Sequence, residues 1–185
     1  MTKRDLSLEK ILAAAAARID QSGRNDVTIG ELACDLGVRP SALYNHISGL
    51  DELRRAVAID ATNEAADQLV NAVVAISGTA AIRALALTYR AFAAEHPGRF
   101  AALLLPPTAQ DDSLAQAQSR IVDIFVRATE STGATGDAAV HAARTVRSAI
   151  HGFVALESVD AFTAKVSKDA SFDHLVASIL RGLLA

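Results

Sequence analysis

Apolar residues recur along this chain with the period of an α-helix. Leu8, Ile11, Leu12, Ala15 and Ile19 form one stripe, and Ile29, Leu32, Ala33 and Leu36 form a second at i, i+3, i+4, i+7. Ile82, Leu85, Tyr89 and Phe92 make a third, Leu114, Ile121, Ile124, Phe125 and Ala128 a fourth. Phe172, Leu175, Val176, Ile179, Leu180 and Leu183 give a broad apolar face near the end. The pattern predicts an all-α chain of about nine helices.

The residues between the stripes say where helices start and stop. Ser7 is placed to cap the first helix and Gly23 to end it. Thr28-Ile29-Gly30-Glu31 has a hydroxyl followed three residues later by a carboxylate, the spacing of a capping box. Gly37 can take the left-handed conformation that closes this second helix. Only Val38-Arg39 separates it from Pro40, whose preset φ and missing N–H suit the first turn of a third. After the turn Ser48-Gly49-Leu50-Asp51, a long helix carrying Leu53, Val57, Leu69 and Val73 is expected to reach about Ile76. His96-Pro97 stops the next helix. Phe100, Leu103 and Leu104 belong to a short one ended by Pro106-Pro107, and Asp111-Asp112 favour the start of another. Gly133 to Gly136 form a loop. The stretch from Asp137 to about Asp160 combines Val140, Ile150, Phe153 and Val154 with Ala142, Ala143, Ala149, Gly152 and Ala155, and Ser171 can cap the last helix. Small residues permit close helix approach, so the two final helices are expected to pair with their copies across a two-fold axis.

Two short helices joined by so tight a turn are a helix-turn-helix, whose second helix enters the DNA major groove. At about 100° per residue from Leu43, Ile47 falls on the same side and Ala42 on its flank, while Ser41, Tyr44 and Asn45 point away. One face is core and the other is free. His46 lies about 60° from the core direction and can either hydrogen-bond within the domain or reach a phosphate.

Composition sharpens this picture. The 185 residues are 51% hydrophobic, ample for a core, and the single cysteine excludes an internal disulfide framework. The net charge of −3 counts against a generic nucleic-acid binder. Phosphate neutralisation is local, however, and the stretch from Leu36 to Ser48 carries Arg39 and His46 with no carboxylate. No apolar run approaches the roughly 20 residues that cross a bilayer, and Met1-Thr2-Lys3-Arg4-Asp5 leads into an amphipathic helix instead of a signal sequence. A cytoplasmic protein with no membrane association is expected.

Other chemistry is sparse. No activated nucleophile, glycine-rich phosphate loop or Glu-x-x-His pattern appears, and Glu95-His96 is merely adjacent, so no enzyme is expected. His96, His141, His151 and His174 are scattered, without metal-ligand spacing, and neither a metal nor a cofactor is expected. Cys34, lacking a resolving partner, is expected to be a packing residue. Tyr89, Phe92, Phe100, Leu104 and Phe125 can line a cavity for an apolar or amphipathic small molecule, or pack as core. Arg147 and His151, at i, i+4, can offer polar groups to that ligand or form a solvated or interface pair.

The spacing from Val27-Thr28-Ile29 through Leu32-Ala33, Leu36-Gly37-Val38 and Leu43-Tyr44-Asn45-His46 to Leu53 resembles the transcriptional regulators of the tetracycline-repressor (TetR) family. That resemblance implies a three-helix DNA-binding domain, here residues 1–48. A helical domain, residues 49–185, would bind a small molecule and dimerise through its last two long helices. It also implies phosphate contacts from Thr28 and Tyr44. Arg39, Ser41 and Asn45 are then the candidates for base edges, with Pro40 setting the helix start and His46 beside them. Tyr89 to Leu104, with Glu95-His96-Pro97-Gly98-Arg99-Phe100, and His151-Gly152-Phe153-Val154-Ala155-Leu156-Glu157 resemble the subgroup named for a Trp-His-Gly motif. The chain departs from these patterns at Ile150, where the subgroup has tryptophan, and at Leu50, where many members have a lysine. The implied function is a homodimeric repressor on a pseudo-palindromic operator, released by a small-molecule effector. The alternatives are a ligand-responsive activator and a helical ligand-binding protein that does not bind DNA.

Overall fold

The computed structural model describes residues 6–23, 27–108 and 112–183. Among them are nine α-helices and no strand: α1 Leu8–Ser22, α2 Ile29–Asp35, α3 Pro40–Leu43, α4 Leu50–Ala72, α5 Gly78–Glu95, α6 Pro97–Ala102, α7 Asp112–Glu130, α8 Gly136–Ser158 and α9 Lys168–Leu183. None of these helices is long and apolar enough to cross a membrane. The expectations placed on Met1 to Asp5 and on Asp111 lie outside the described residues. The chain divides into two compact units, Met1–Asn63 with Glu95–Ala117, and Glu64–Ala94 with Gln118–Ala185.

In the first unit, Ser7 caps α1 by accepting a hydrogen bond from the Lys10 N–H at 3.3 Å, and Gly23 ends it at φ +66°. Ile11, Ala15 and Ile19 face a core shared with Val27, Leu32, Ala33, Leu43, Ile47, Leu53 and Val57. Leu8, expected in the stripe, is exposed, because the first helical position falls beyond the end of this core. Leu6, just before the cap, is buried in its place with Ile11, the pair of positions that staples a helix start. A smaller cluster joins Ala58 of α4, Ala102 at the end of α6 and Leu114 of α7.

The helix α6 lies hard against α1. A Cβ at Gly98 would stand 2.0 Å from the Ile19 carbonyl oxygen, so only glycine allows this approach. Asp20 of α1 then accepts from the Arg99 N–H at 2.9 Å and from Arg99 Nε at 2.7 Å, while Arg99 Nη2 donates to His96 Nδ1 at 2.5 Å. A carboxylate from one helix thereby satisfies an amide in the first turn of another, one of the four that a helix start leaves unpaired. Leu103 and Leu104, expected within this short helix, follow its end at Ala102; Leu103 is buried and Leu104 exposed.

In the second unit, α5 contributes Ile82, Leu85, Tyr89 and Phe92 to the core, α7 Ile121 and Phe125, α8 Val146, Ile150 and Val154, and α9 Phe172 and Val176. The buried Thr129 hydroxyl lies 2.8 Å from the Val126 carbonyl on its own helix and 2.9 Å from that of Ala139 on α8. Arg90 of α5 donates to Glu157 of α8 at 2.5 and 2.8 Å, pairs with Asp169 of α9 at 2.8 Å, and places its guanidinium 4.7 Å from the centre of the Phe172 ring.

Two helix ends differ from expectation. The long helix stops at Ala72, short of Ile76: the Val73, Val74 and Ile76 N–H groups donate to carbonyls three residues back, and Ala75 takes a left-handed φ of +63°. Ser167 caps α9, accepting from the Ala170 N–H at 3.2 Å. Ser171 is already inside the helix, where its hydroxyl donates to the Ser167 carbonyl at 3.1 Å.

Candidate nucleic-acid interface and polar cluster

The helix-turn-helix is built by local chemistry. Thr28 and Glu31 form both halves of the capping box: Thr28 Oγ1 accepts from the Glu31 N–H at 3.2 Å, and Glu31 Oε2 accepts from the Thr28 N–H at 3.1 Å. Gly37, at φ +64°, lets the chain reverse, with the Val38 N–H donating to the Ala33 carbonyl at 2.9 Å. Arg39 is extended at φ −77°, ψ 144°, and Pro40 starts α3. Although α3 ends at Leu43, the winding continues, since the His46 and Ile47 N–H groups both donate to the Leu43 carbonyl. Ser48 closes the segment by donating its N–H, at 2.5 Å, and its hydroxyl to Glu52; these bonds hold the Glu52 carboxyl below its ordinary range.

Leu43 and Ile47 are buried, whereas Thr28, Arg39, Pro40, Ser41, Tyr44 and Asn45 are exposed. His46 is half-buried. Tyr44 leaves 55% of its surface open. Arg39 makes no capping bond and no ion pair among the described residues, so its five donors remain available. Arg18 is in the opposite position: it donates two bonds to Asp35, at 2.6 and 2.8 Å, and lies 3.5 Å from Glu31. This fork ties α1 to α2, and its hydrogen bonds lower the Asp35 pKa. Cys34 is exposed, not packed, because it lies about 100° around α2 from the buried Ala33.

Of the residues assigned to a ligand pocket, Tyr89, Phe125, Arg147 and His151 come together in the second unit. Tyr89 and Phe125 meet edge to face at 6.2 Å, and the Tyr89 hydroxyl lies 2.9 Å from His151 Nδ1. Burial raises the Tyr89 pKa, which the Arg147 charge and hydrogen bond partly offset; burial first, and then Arg147, lower that of His151. Either the phenol or the imidazole can donate in this contact, according to which ring nitrogen of His151 carries the hydrogen. Phe92, one turn on from Tyr89, is buried in the same unit. Phe100 and Leu104 belong to the other unit, Phe100 buried and Leu104 exposed. One cavity of the second unit, about 250 Å3, is lined by Val70, Val73, Ile76, Ala81, Ile124 and Arg127 with Ala128 and Ser131, none of them assigned to a pocket from sequence. The Arg90 and Asp20 clusters also escaped sequence reasoning, because their partners lie 67 and 79 residues away.

Residues 82–179 match a family model described as the tetracyclin repressor-like C-terminal domain. The chain is 34% identical to an uncharacterised HTH-type transcriptional regulator, YobS, of Bacillus subtilis, over 97% of this chain and 93% of that protein. It is also 34% identical to another, Rv0681 of Mycobacterium tuberculosis, over 96% and 82%. Among solved structures, a TetR variant from Acinetobacter baumannii in complex with minocycline shares the fold, with a TM-score of 0.67 and 21% identity over 96% of each chain.

Proposed function

Since the chain belongs to the TetR family of helix-turn-helix transcriptional regulators, we propose that this DNA-binding regulator is a cytoplasmic repressor acting as a homodimer on a pseudo-palindromic operator. The observation that carries the reading is the two-sided segment 39–47. Leu43 and Ile47 anchor it in the core, while Arg39, Ser41, Tyr44 and Asn45 stand exposed on the opposite side. Arg39 can donate two bonds to guanine, Asn45 can pair with adenine, and Ser41 can meet either, while Thr28, Tyr44 and half-buried His46 hold the phosphates. Pro40 sets where the reading helix begins. DNA contact is thus assigned to residues 1–48, and ligand binding and dimerisation to 49–185.

The dimer pairs α8 and α9 with their copies, and the two reading segments fall about 34–36 Å apart, one helical turn of DNA. An apolar or amphipathic effector binds in the C-terminal domain, where Tyr89, Phe92 and Phe125 supply the apolar surface and Arg147 and His151 the polar groups. The A. baumannii protein of the same fold binds a small molecule, minocycline, in its structure. Release follows if the effector prefers the conformation with the wrong head spacing, by a coupling of about 1–3 kcal/mol carried along α4.

The test is selection from a pool of random duplexes at moderate salt. An inverted repeat with half-sites one helical turn apart is expected. Retention that is sensitive to salt but indifferent to sequence would overturn the reading.

A further inference from the structure

An open cleft of about 480 Å3 lies in the first unit, between the end of α1, the start of α2 and the first turns of α4. Arg18, Thr28, Glu31, Leu50 and Arg54 line it. Its two cations are differently placed. Arg18 is committed to Asp35 and Glu31, and Glu31 is itself engaged by the Thr28 capping box. Arg54 has one loose neighbour, Asp51, whose carboxylate oxygen stands 3.6 Å from Nη1 and whose side chain is 91% exposed. Arg54 Nε is buried and has no hydrogen-bond partner among the described residues. Arg54 lines the cleft with a guanidinium held only by the loose contact to Asp51, and its part-exposed terminal amino groups can take an acceptor oxygen that arrives from outside.

The DNA supplies such oxygens at every nucleotide, and the reading segment has few cations to meet them. The stretch from Leu36 to Ser48 carries Arg39 and the half-buried His46 alone. We propose that the cleft between Thr28 and Arg54 is a phosphate cradle, in which the Arg54 guanidinium holds a backbone phosphate of the bound duplex. Leu50, one turn before Arg54 on the same helix, forms the apolar wall of the cradle and brings no charge to it. The proposal rests on the reading of the chain as an operator-binding protein and adds a positioning contact that carries no base information.

The experiment measures duplex affinity against salt for the full chain and for Arg54→Gln, together with the Nε–H resonance of Arg54 in the unsubstituted protein. Arg54→Gln is expected to lower the slope of log affinity against log salt by about one per protomer, with base preference unchanged. Its deficit then shrinks about three- to fourfold per cradle between 50 and 200 mM salt. Leu50→Lys in the Arg54→Gln background is expected to restore the slope, because lysine there puts an ammonium over the same space. The Nε–H signal is expected to move on adding duplex and to stay in place with millimolar inorganic phosphate alone. An unchanged slope in Arg54→Gln, or a resonance that answers only free phosphate, would overturn the proposal. The slope can be read on any duplex, so failure of sequence-specific binding stays distinguishable from failure of the cradle. The resonance is read without any substitution, so it does not depend on whether the variant folds.

Discussion

A methyl group added at Gly98 would lie 2.0 Å from the carbonyl oxygen of Ile19 and 2.2 Å from its carbon, inside the backbone of α1. Backbone cannot rotate aside as a flexible side chain can, so α6 would have to move off α1 and strain the Asp20–Arg99 bonds. Gly98→Ala is therefore expected to cost about 1–3 kcal/mol in urea unfolding, the range for overpacking. A variant as stable as the parent would show that α6 does not need this approach. His151 makes a second prediction at this scale. Its folded pKa is lowered from the ordinary 6.5 by burial and by Arg147, so the unfolded chain takes up its proton first. The stability this group preserves is fully present above pH 6.5 and is lost as pH falls from there to the folded value. His151→Gln, which keeps an acceptor for Tyr89, is expected to flatten that part of a stability–pH curve. Curves of equal slope would refute the burial argument. The close approach at Gly98 leaves no mark in the sequence, where Gly98 is only part of the Glu95–Phe100 motif, and the pairing of His151 with Tyr89 was not legible from its i, i+4 spacing to Arg147.

At the level of elements, periodicity located the helices, and their ends depended on which polar group reached which amide. Thr28 and Glu31 lie three residues apart, so their capping box was legible directly and is present in the structure. Ser167 and Ser171 are one turn apart, and only Ser171 stands directly before the apolar run that starts at Phe172, so pattern alone pointed to the wrong one. Ser167→Ala should destabilise the protein by about 1 kcal/mol, the usual worth of a cap, and Ser171→Ala by much less, because its hydroxyl only donates to a helix carbonyl. Equal effects in thermal unfolding would contradict that division. The end of α4 was missed for another reason. Val73 and Ile76 keep the apolar rhythm beyond Ala72, and the left-handed turn at Ala75 has no glycine to signal it.

For the molecule as a whole, the net charge of −3 and the family of DNA-binding regulators are reconciled by where the charges sit. Arg18 is neutralised by Asp35 and Glu31, whereas Arg39 has its donors open on a surface without nearby carboxylates in sequence. The helix-turn-helix was legible because the relations that mark it, the Thr28–Glu31 box, the turn at Gly37 and the start at Pro40, each span a few residues. The C-terminal half was legible as helices only. Which side chains meet there, Tyr89 with His151 or Arg90 with Glu157, depends on contacts more than 60 residues apart. Base reading by the exposed face of residues 39–45 is tested by comparing the full chain with Arg39→Ala on an operator series substituted one base pair at a time. Arg39→Ala is expected to lose about 1–3 kcal/mol of discrimination at one base pair of each half-site and to keep the rest. Uniform weakening at every position would contradict it, reducing Arg39 to a phosphate contact.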